Sequence, residues 1–342
     1  MGQPGFFDLD RRLEAISAKG DALETIKAAV PWEDFRADIE AATAPEERKS
    51  NAGRKPYDAV LKFKVLVLQS LYNLSDEQAE LMICDRLSFM RFLDLGLEDP
   101  VPDATTIWLF REAVVDAGLV DKLFNRFGQH LEAKGYIARG GQIVDATIVS
   151  VPRQRNTKEE NETIKAGETP KQWQEQPAKL AQKDVDARWT KKNDENFYGY
   201  KNHVGVDKAH KLIRKWDVTD AAVHDSQKLD DVLDPSKDVW ADSAYRSAAI
   251  ERRLREKGLR SRIHRRAVRG HALSETQKAA NTTRSKVRAR VEHVFGHQEN
   301  SMGGKIVRTI GIARARLKIG MMNLGYNIRR LVQIERAAAA PA

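Results

Sequence analysis

One carboxylate in the middle of an apolar run, Ile143-Val144-Asp145-Ala146-Thr147-Ile148-Val149, constrains this chain more than any other stretch. Its β-branched residues, following Gly140-Gly141, predict a buried strand. An ionised Asp145 there is costly unless a cation or a set of donors meets it. The stretch alone leaves two readings open: a structural carboxylate bonded to backbone or paired with an arginine, or one kept for function.

The chain has 342 residues, enough for two domains and one sizeable core. Hydrophobic residues make up 41% and charged residues 31%, as in a soluble globular protein. No apolar run reaches membrane-spanning length, so no membrane partner is expected. Met1–Asp8 lacks a basic segment leading into an apolar one, so it does not read as a signal peptide. Cys84 is the only cysteine, which excludes a disulfide framework or a zinc cluster and fits a reducing cytoplasm.

Charge is unevenly spread. The chain carries +9, yet residues 251–330 hold 21 lysines and arginines against 5 acidic residues, a net +16 that leaves −7 elsewhere. A basic quarter on an acidic body points to a polyanion, usually nucleic acid. The alternative is a solvated basic surface.

Helical periodicity dominates up to residue 135, where a first domain (1–135) is expected to be all-α and to bind DNA. Leu9, Leu13 and Ile16 form one stripe, Leu23, Ile26 and Val30 a second, and Trp32, Phe35 and Ile39 continue it. The polar stretch 45–55 reads as a linker or loop. Ser75 and Gln78 form a capping box, and Asp103 caps a helix from Ala104 to Ala117. The arrangement fits a helix-turn-helix with that helix reading DNA, or a plain helical bundle.

A second domain (136–330) starts with the Asp145 strand. Residues 153–195 are almost wholly polar and read as a flexible insertion. Tyr198 to Val206 alternate like a half-buried strand, and Leu212, Arg214, Trp216 and Val218 continue as its antiparallel partner. His203 and His224 could be metal ligands, but packing or hydrogen bonding is the preferred role for both. Val239-Trp240-Ala241-Asp242 reads as a short strand ending on a carboxylate, where α/β sheets place ligand chemistry. Ser243 or Ser247 is the better cap for the helix that follows. Arg260, Arg262, Arg265, Arg266 and Arg269 flank Ile263 in a predicted basic edge strand. A helix from about Ser274 to Phe295 carries Arg288 and Glu292 on one face, where an ordinary i,i+4 ion pair is one reading. An amphipathic helix with a basic face is expected next, and then a tail over 331–342.

Asp145, Asp242 and Glu292, from two strands and a helix, can converge over one end of a mixed sheet. Such a cluster repels itself without cations and suits Mg²⁺ or Mn²⁺. Two ions there can activate a water and stabilise a leaving 3′ oxygen.

These residues carry a resemblance. Gly5-Phe6-Phe7-Asp8, Gly53-Arg54-Lys55-Pro56-Tyr57 and Pro102-Asp103-Ala104-Thr105-Thr106 resemble the N-terminal domain of DDE transposases of bacterial insertion sequences, closest to the fifth insertion-sequence family. The stretches around Asp145, Tyr198-Gly199-Tyr200-Lys201, Val223-His224-Asp225-Ser226, Asp242-Ser243-Ala244-Tyr245-Arg246 and Val291-Glu292-His293-Val294-Phe295-Gly296 resemble its catalytic domain. The resemblance implies an α/β fold: a ribonuclease H-like mixed sheet flanked by helices, behind an all-α N-terminal domain. It implies a triad of Asp145, Asp242 and Glu292 holding two Mg²⁺ or Mn²⁺ ions. Expected DNA contacts are Arg288, Tyr245, Arg246, Arg265, Arg266 and Lys201. It further implies cleavage of double-stranded DNA at element ends, transfer of the 3′ hydroxyl to target DNA, a homodimer on DNA, and a bacterial cytoplasmic location at the nucleoid. A nuclease of the same fold that does not join, and an inactive DNA-binding regulator, are the alternatives. Related families often place Tyr seven before the Glu and Lys seven after it; here those positions are Ser285 and Glu299.

Overall fold

The computed structural model describes residues 5, 7–43, 55–267 and 271–339. The expected linker at 45–55 lies outside them except for Lys55, as do Gly53 and Arg54, Phe6, and Arg269 of the basic segment. The chain divides into two compact units, residues 1–130 with 324–342, and residues 131–323.

The first unit is helical, as the apolar spacing predicts. Helices α1 (Asp8–Ala18), α2 (Ala22–Ala29) and α3 (Arg36–Thr43) precede α4 (Ala59–Tyr72), α5 (Asp76–Asp85), α6 (Leu87–Phe92) and α7 (Ala104–Asp116). Helix α4 is buried on more than one face, from Phe63 to Leu71. Phe63 meets Trp32 edge-on at 6.0 Å and Phe35 at 4.9 Å, and together they fill the unit's centre. The Ser75–Gln78 capping box closes as expected, and Asp103 accepts from Thr106 N at 2.6 Å.

Helix α7 was the expected DNA-reading helix. Its buried side is Ile107, Phe110 and Val114. Its outer side shows Trp108 (45% exposed) and Leu109 (56%), and Arg111 is ion-paired to Asp76. That face offers few donors to base edges or phosphates.

Helix α8 (Leu119–Ala133) leads to the second unit and its six-stranded mixed sheet. The strands are β1 (Gln142–Ser150), β2 (Arg188–Lys192), β3 (Glu195–Asp207), β4 (Ile213–Asp220), β5 (Asp238–Trp240) and β6 (Arg260–Ser261). Their order is β2-β3-β1-β5-β6, with β4 paired to β3. Strand β3 runs antiparallel to β1, β2 and β4, whereas β1, β5 and β6 are parallel, as in the expected ribonuclease H-like sheet. From Tyr198 to Asp207 every residue of β3 except Lys201 is buried, so β3 is covered on both faces rather than half-exposed. Gly205 permits this packing: a Cβ there would stand 2.1 Å from the Val232 carbonyl oxygen.

Three expectations need correction. Residues 153–195 are folded, with α9 (Lys158–Lys165), α10 (Lys171–Gln174) and α11 (Pro177–Leu180) before β2. Trp173 is fully buried and donates to Glu160 Oε1 at 2.6 Å. Asp184, also buried, accepts from Tyr200 Oη, from the amides of Asp186 and Ala187, and from Gly311 N. One tryptophan and one saturated carboxylate hold a segment whose composition looks solvated.

After α12 (Leu229–Val232) and α13 (Ala248–Glu256), the basic segment forms only the two-residue β6, and Ile263 is buried just beyond it. Helices α14 (Glu275–Ser301) and α15 (Ile312–Ala339) follow. Helix α15 continues where a tail was expected, because residues 331–339 combine buried Leu331 and Val332 with helix-favouring alanines. Its stretch from Ile319 to Ile328 is buried throughout, so a simple amphipathic reading fails there.

Candidate active site

The parallel register of β1 and β5 brings the two aspartates together. Ile143 pairs with Trp240, and two residues further along each chain stand Asp145 and Asp242. Asp242 lies just past the end of β5, near enough to Asp145 for its charge to act on that carboxyl. Val144, pointing to the opposite face, packs into a cluster with Leu229, Val232, Leu254 and Ile263 that fixes this part of β1.

Asp242 accepts from Ala244 N at 2.8 Å and caps a one-turn 3₁₀ helix over Ser243–Tyr245. Ser247 caps α13, as expected, by accepting from Ile250 N. Asp145 Oδ1 accepts from Ala146 N at 2.9 Å. Its other oxygen accepts from Arg288 Nη2 at 3.0 Å. Burial pushes the Asp145 pKa up, the Asp242 charge adds to that, and the Arg288 charge and Ala146 amide oppose it.

Arg288 arrives on α14, which packs against β1 and β5. The alternative reading of Arg288 and Glu292 as a surface ion pair does not hold; Arg288 reaches across to Asp145 instead. Glu292 stands one turn further along α14, exposed, with no side-chain partner among the described residues. Among those residues no three His, Cys, Asp or Glu side chains are gathered as a finished metal cluster. The donor set nonetheless suits a hard cation: two neighbouring carboxylates, one of them half-buried and destabilised by the other, and a free third carboxylate on the helix alongside.

The expected DNA contacts divide. Arg265 and Arg266 are exposed. Arg246 Nη1 donates to the Ile263 carbonyl at 3.1 Å and is ion-paired with Glu251 at 3.2 Å. Lys201 is committed internally, to Asp225 and to the Val223 carbonyl, both at 2.8 Å. Tyr245 is 1% exposed, so it does not face a DNA surface. Its hydroxyl has no hydrogen-bond partner among the described residues, and burial, with Asp145, Asp225 and Asp242 nearby, holds its pKa well above the ordinary value. His203 Nε2 bonds Thr219 Oγ1 at 2.9 Å in the core, and His224 Nδ1 bonds Ser226 Oγ at 2.7 Å at the surface, both in hydrogen-bonding roles.

Sequence reasoning missed Arg284. It lies one turn before Arg288, and the spacing 281, 284, 285, 288 marks one helix face. Ser285, standing where related families carry Tyr, lies 3.4 Å from His264 Nε2.

A family profile described as "Transposase DDE domain" matches residues 138–328, more than half of the chain. The chain belongs to the DDE transposase family. A second profile, a transposase domain of otherwise undefined function, matches residues 11–113 of this transposase. A solved cryo-EM structure, a piggyBac transposase synaptic complex with hairpin DNA, is similar over 92% of this chain and 73% of that one, at 11% identity and a TM-score of 0.43. DDE transposases generally use divalent metal ions. No helix among the described residues is long and apolar enough to cross a membrane.

Proposed function

We propose that this transposase cuts double-stranded DNA at the ends of an insertion element and joins the freed 3′ hydroxyl to target DNA. Asp145, Asp242 and Glu292 are the residues that would hold Mg²⁺ or Mn²⁺, two ions in all. Bound there, the metal would supply a water activated for attack and charge stabilisation for the leaving 3′ oxygen.

The observation that carries this reading is the register-matched pair Asp145 and Asp242, with Arg288 docked on Asp145. Asp145 presents its carboxylate from the interior strand β1, and Asp242 presents a second from just past the end of β5. Arg288 brings a planar donor fork to the same place, suited to a phosphate oxygen once released from Asp145. The exposed Arg265 and Arg266 extend positive charge outward for the DNA backbone. Lys201 and Tyr245 support the centre from within rather than touching DNA. The domains are read as 1–135 helical and 136–330 catalytic, and the working form as a cytoplasmic, nucleoid-associated homodimer on DNA.

The test is incubation with the genomic DNA that flanks the element, plus Mg²⁺, followed by nick mapping and a strand-transfer assay. Nicks at the element ends and joined products are expected. Asp145→Ala, Asp242→Ala and Glu292→Ala should each abolish cleavage and leave DNA binding largely intact. Near wild-type cleavage by any one of them removes that residue from the triad. Nicks without joined products would leave a nuclease.

A further inference from the structure

One backbone oxygen in this molecule carries two positive charges. The Ile263 carbonyl accepts from Arg246 Nη1 at 3.1 Å and from Arg284 Nη1 at 3.2 Å. The two nitrogens can therefore be no further apart than about 6.3 Å, the sum of those bonds. Like charges that close need an anion between or beside them. Arg246 has Glu251. Arg284 has only the Asn281 side-chain oxygen at 3.3 Å besides the carbonyl, and no carboxylate among the described residues.

The surroundings add more positive charge than they cancel. Burial and the nearby Arg265, Arg246 and Arg262 disfavour the charged form of Arg284, and the Glu251 carboxylate opposes them only in part. The only cation of these three that the structure neutralises besides Arg246 is Arg262, through Asp238 at 3.3 Å. Arg265 is exposed, but its backbone is clamped: Asn281 accepts from Arg265 N at 3.0 Å and donates to Arg265 O at 2.9 Å. Its guanidinium thus starts from a fixed point beside Arg284. All of this sits on the face of α14 that carries Arg288. Four residues of helix rise about 6 Å, comparable to the through-space separation of neighbouring phosphates on one DNA strand.

We propose that Arg284 and Arg246, converging on the Ile263 carbonyl with Arg265 alongside, form a second phosphate site that takes the DNA backbone phosphate next along the strand from the one met by Arg288. The site rests on the DNA reading above. Its Arg246 and Arg284 guanidiniums are placed before DNA arrives, because the Ile263 carbonyl and Asn281 hold them. It fixes the strand's register over Asp145 and carries no base readout.

The test is binding of a double-stranded element-end fragment at rising salt, for wild type, Arg284→Gln and Arg284→Lys, with thermal melts alongside. Each phosphate neutralised contributes about −0.9 to the log-log slope. Arg284→Gln is expected to lose about one such unit, and Arg284→Lys to keep it. A scan of single neutral methylphosphonates is expected to weaken wild-type binding at two neighbouring positions, and Arg284→Gln is expected to be insensitive at one of them. Should Arg284→Gln fail to fold, the wild-type scan still decides: one sensitive position alone overturns the second site. Equal slopes and equal scans in wild type and Arg284→Gln also overturn it while leaving the DNA reading in place. Absence of any wild-type DNA binding overturns both.

Discussion

Arg288 Nη2 lies 3.0 Å from Asp145 Oδ2, joining residues 143 positions apart in sequence and making the arginine the counter-ion of the most buried carboxylate of the centre. Both side chains keep about a fifth of their surface, 22% and 20%, so the pair is partly screened. Arg288 Nε is buried without a hydrogen-bond partner among the described residues. A guanidinium held by one oxygen, with a donor to spare, is poised to exchange partners. With the Asp145 oxygens engaged elsewhere, Arg288 would be free to donate to a phosphate.

That exchange predicts a stability effect separate from activity. Arg288→Ala leaves Asp145 beside Asp242 with no cation, at an expected cost of about 1–2 kcal/mol, below the range for fully buried pairs because both partners are partly exposed. Added Mg²⁺ or Mn²⁺ should then raise the melting temperature of Arg288→Ala more than that of wild type. Equal gains would mean that metal and arginine do not compete. In cleavage at saturating DNA, Arg288→Ala should lose ten-fold or more, about 1.4 kcal/mol, and Arg288→Lys should recover only part.

Several caps and strands were legible because their signals are local. Ser75, Asp103 and Ser247 each cap the helix that starts beside them. The Asp145 strand and the hairpin after Tyr198 follow from short apolar patterns. The Arg288–Asp145 pair was not legible, since helical spacing pointed to Glu292 and nothing local reports a partner on another element. The insertion was misread for the opposite reason: its composition is polar, and the two residues that fold it, Trp173 and Asp184, are single letters in that background.

Asp184 supplies the next prediction. Its carboxylate is 2% exposed and takes the hydroxyl of Tyr200 at 2.8 Å, the amides of Asp186 and Ala187 at 2.9 Å, and Gly311 N at 3.2 Å. Asp184→Ala strands several buried donors at about 1–3 kcal/mol each, partly relieved by water. Limited proteolysis should then cut within 153–195 faster than in wild type, with Asp184→Asn intermediate. Unchanged proteolysis would mean that the insertion is held elsewhere.

His203 predicts acid sensitivity. It is fully buried on β3, and burial lowers its pKa to about 4, with the Asp225 charge opposing and the Lys201 charge reinforcing the shift. The unfolded chain binds a proton near the ordinary value of about 6.5. Between these values the unfolded state holds more protons, so stability falls as pH drops from about 6.5 to 4 and is unaffected by this group above that window. The full loss is up to about 3 kcal/mol. Chemical denaturation of wild type and His203→Gln across this window should show a shallower decline in the variant. Parallel declines would assign the acid sensitivity to other groups.

Helix α7 gives the last prediction. A helix that reads DNA presents cations and amides to the groove, whereas α7 presents Thr105, Trp108 and Leu109, and binds its Arg111 to Asp76. Asp76 also accepts from Gln69 Nε2 at 2.8 Å, so Arg111 ties α7 to the start of α5 and the end of α4. The pair is part-buried, at 27% and 15% side-chain exposure. Arg111→Ala is therefore expected to cost about 1 kcal/mol of stability, the upper end for a screened pair, and to leave the salt slope of DNA binding unchanged. A loss of about 0.9 from that slope, with little change in melting temperature, would put Arg111 on a phosphate and return α7 to the DNA. Melting curves and salt titrations on the same two proteins separate the outcomes, because an internal ion pair and a phosphate contact move different observables.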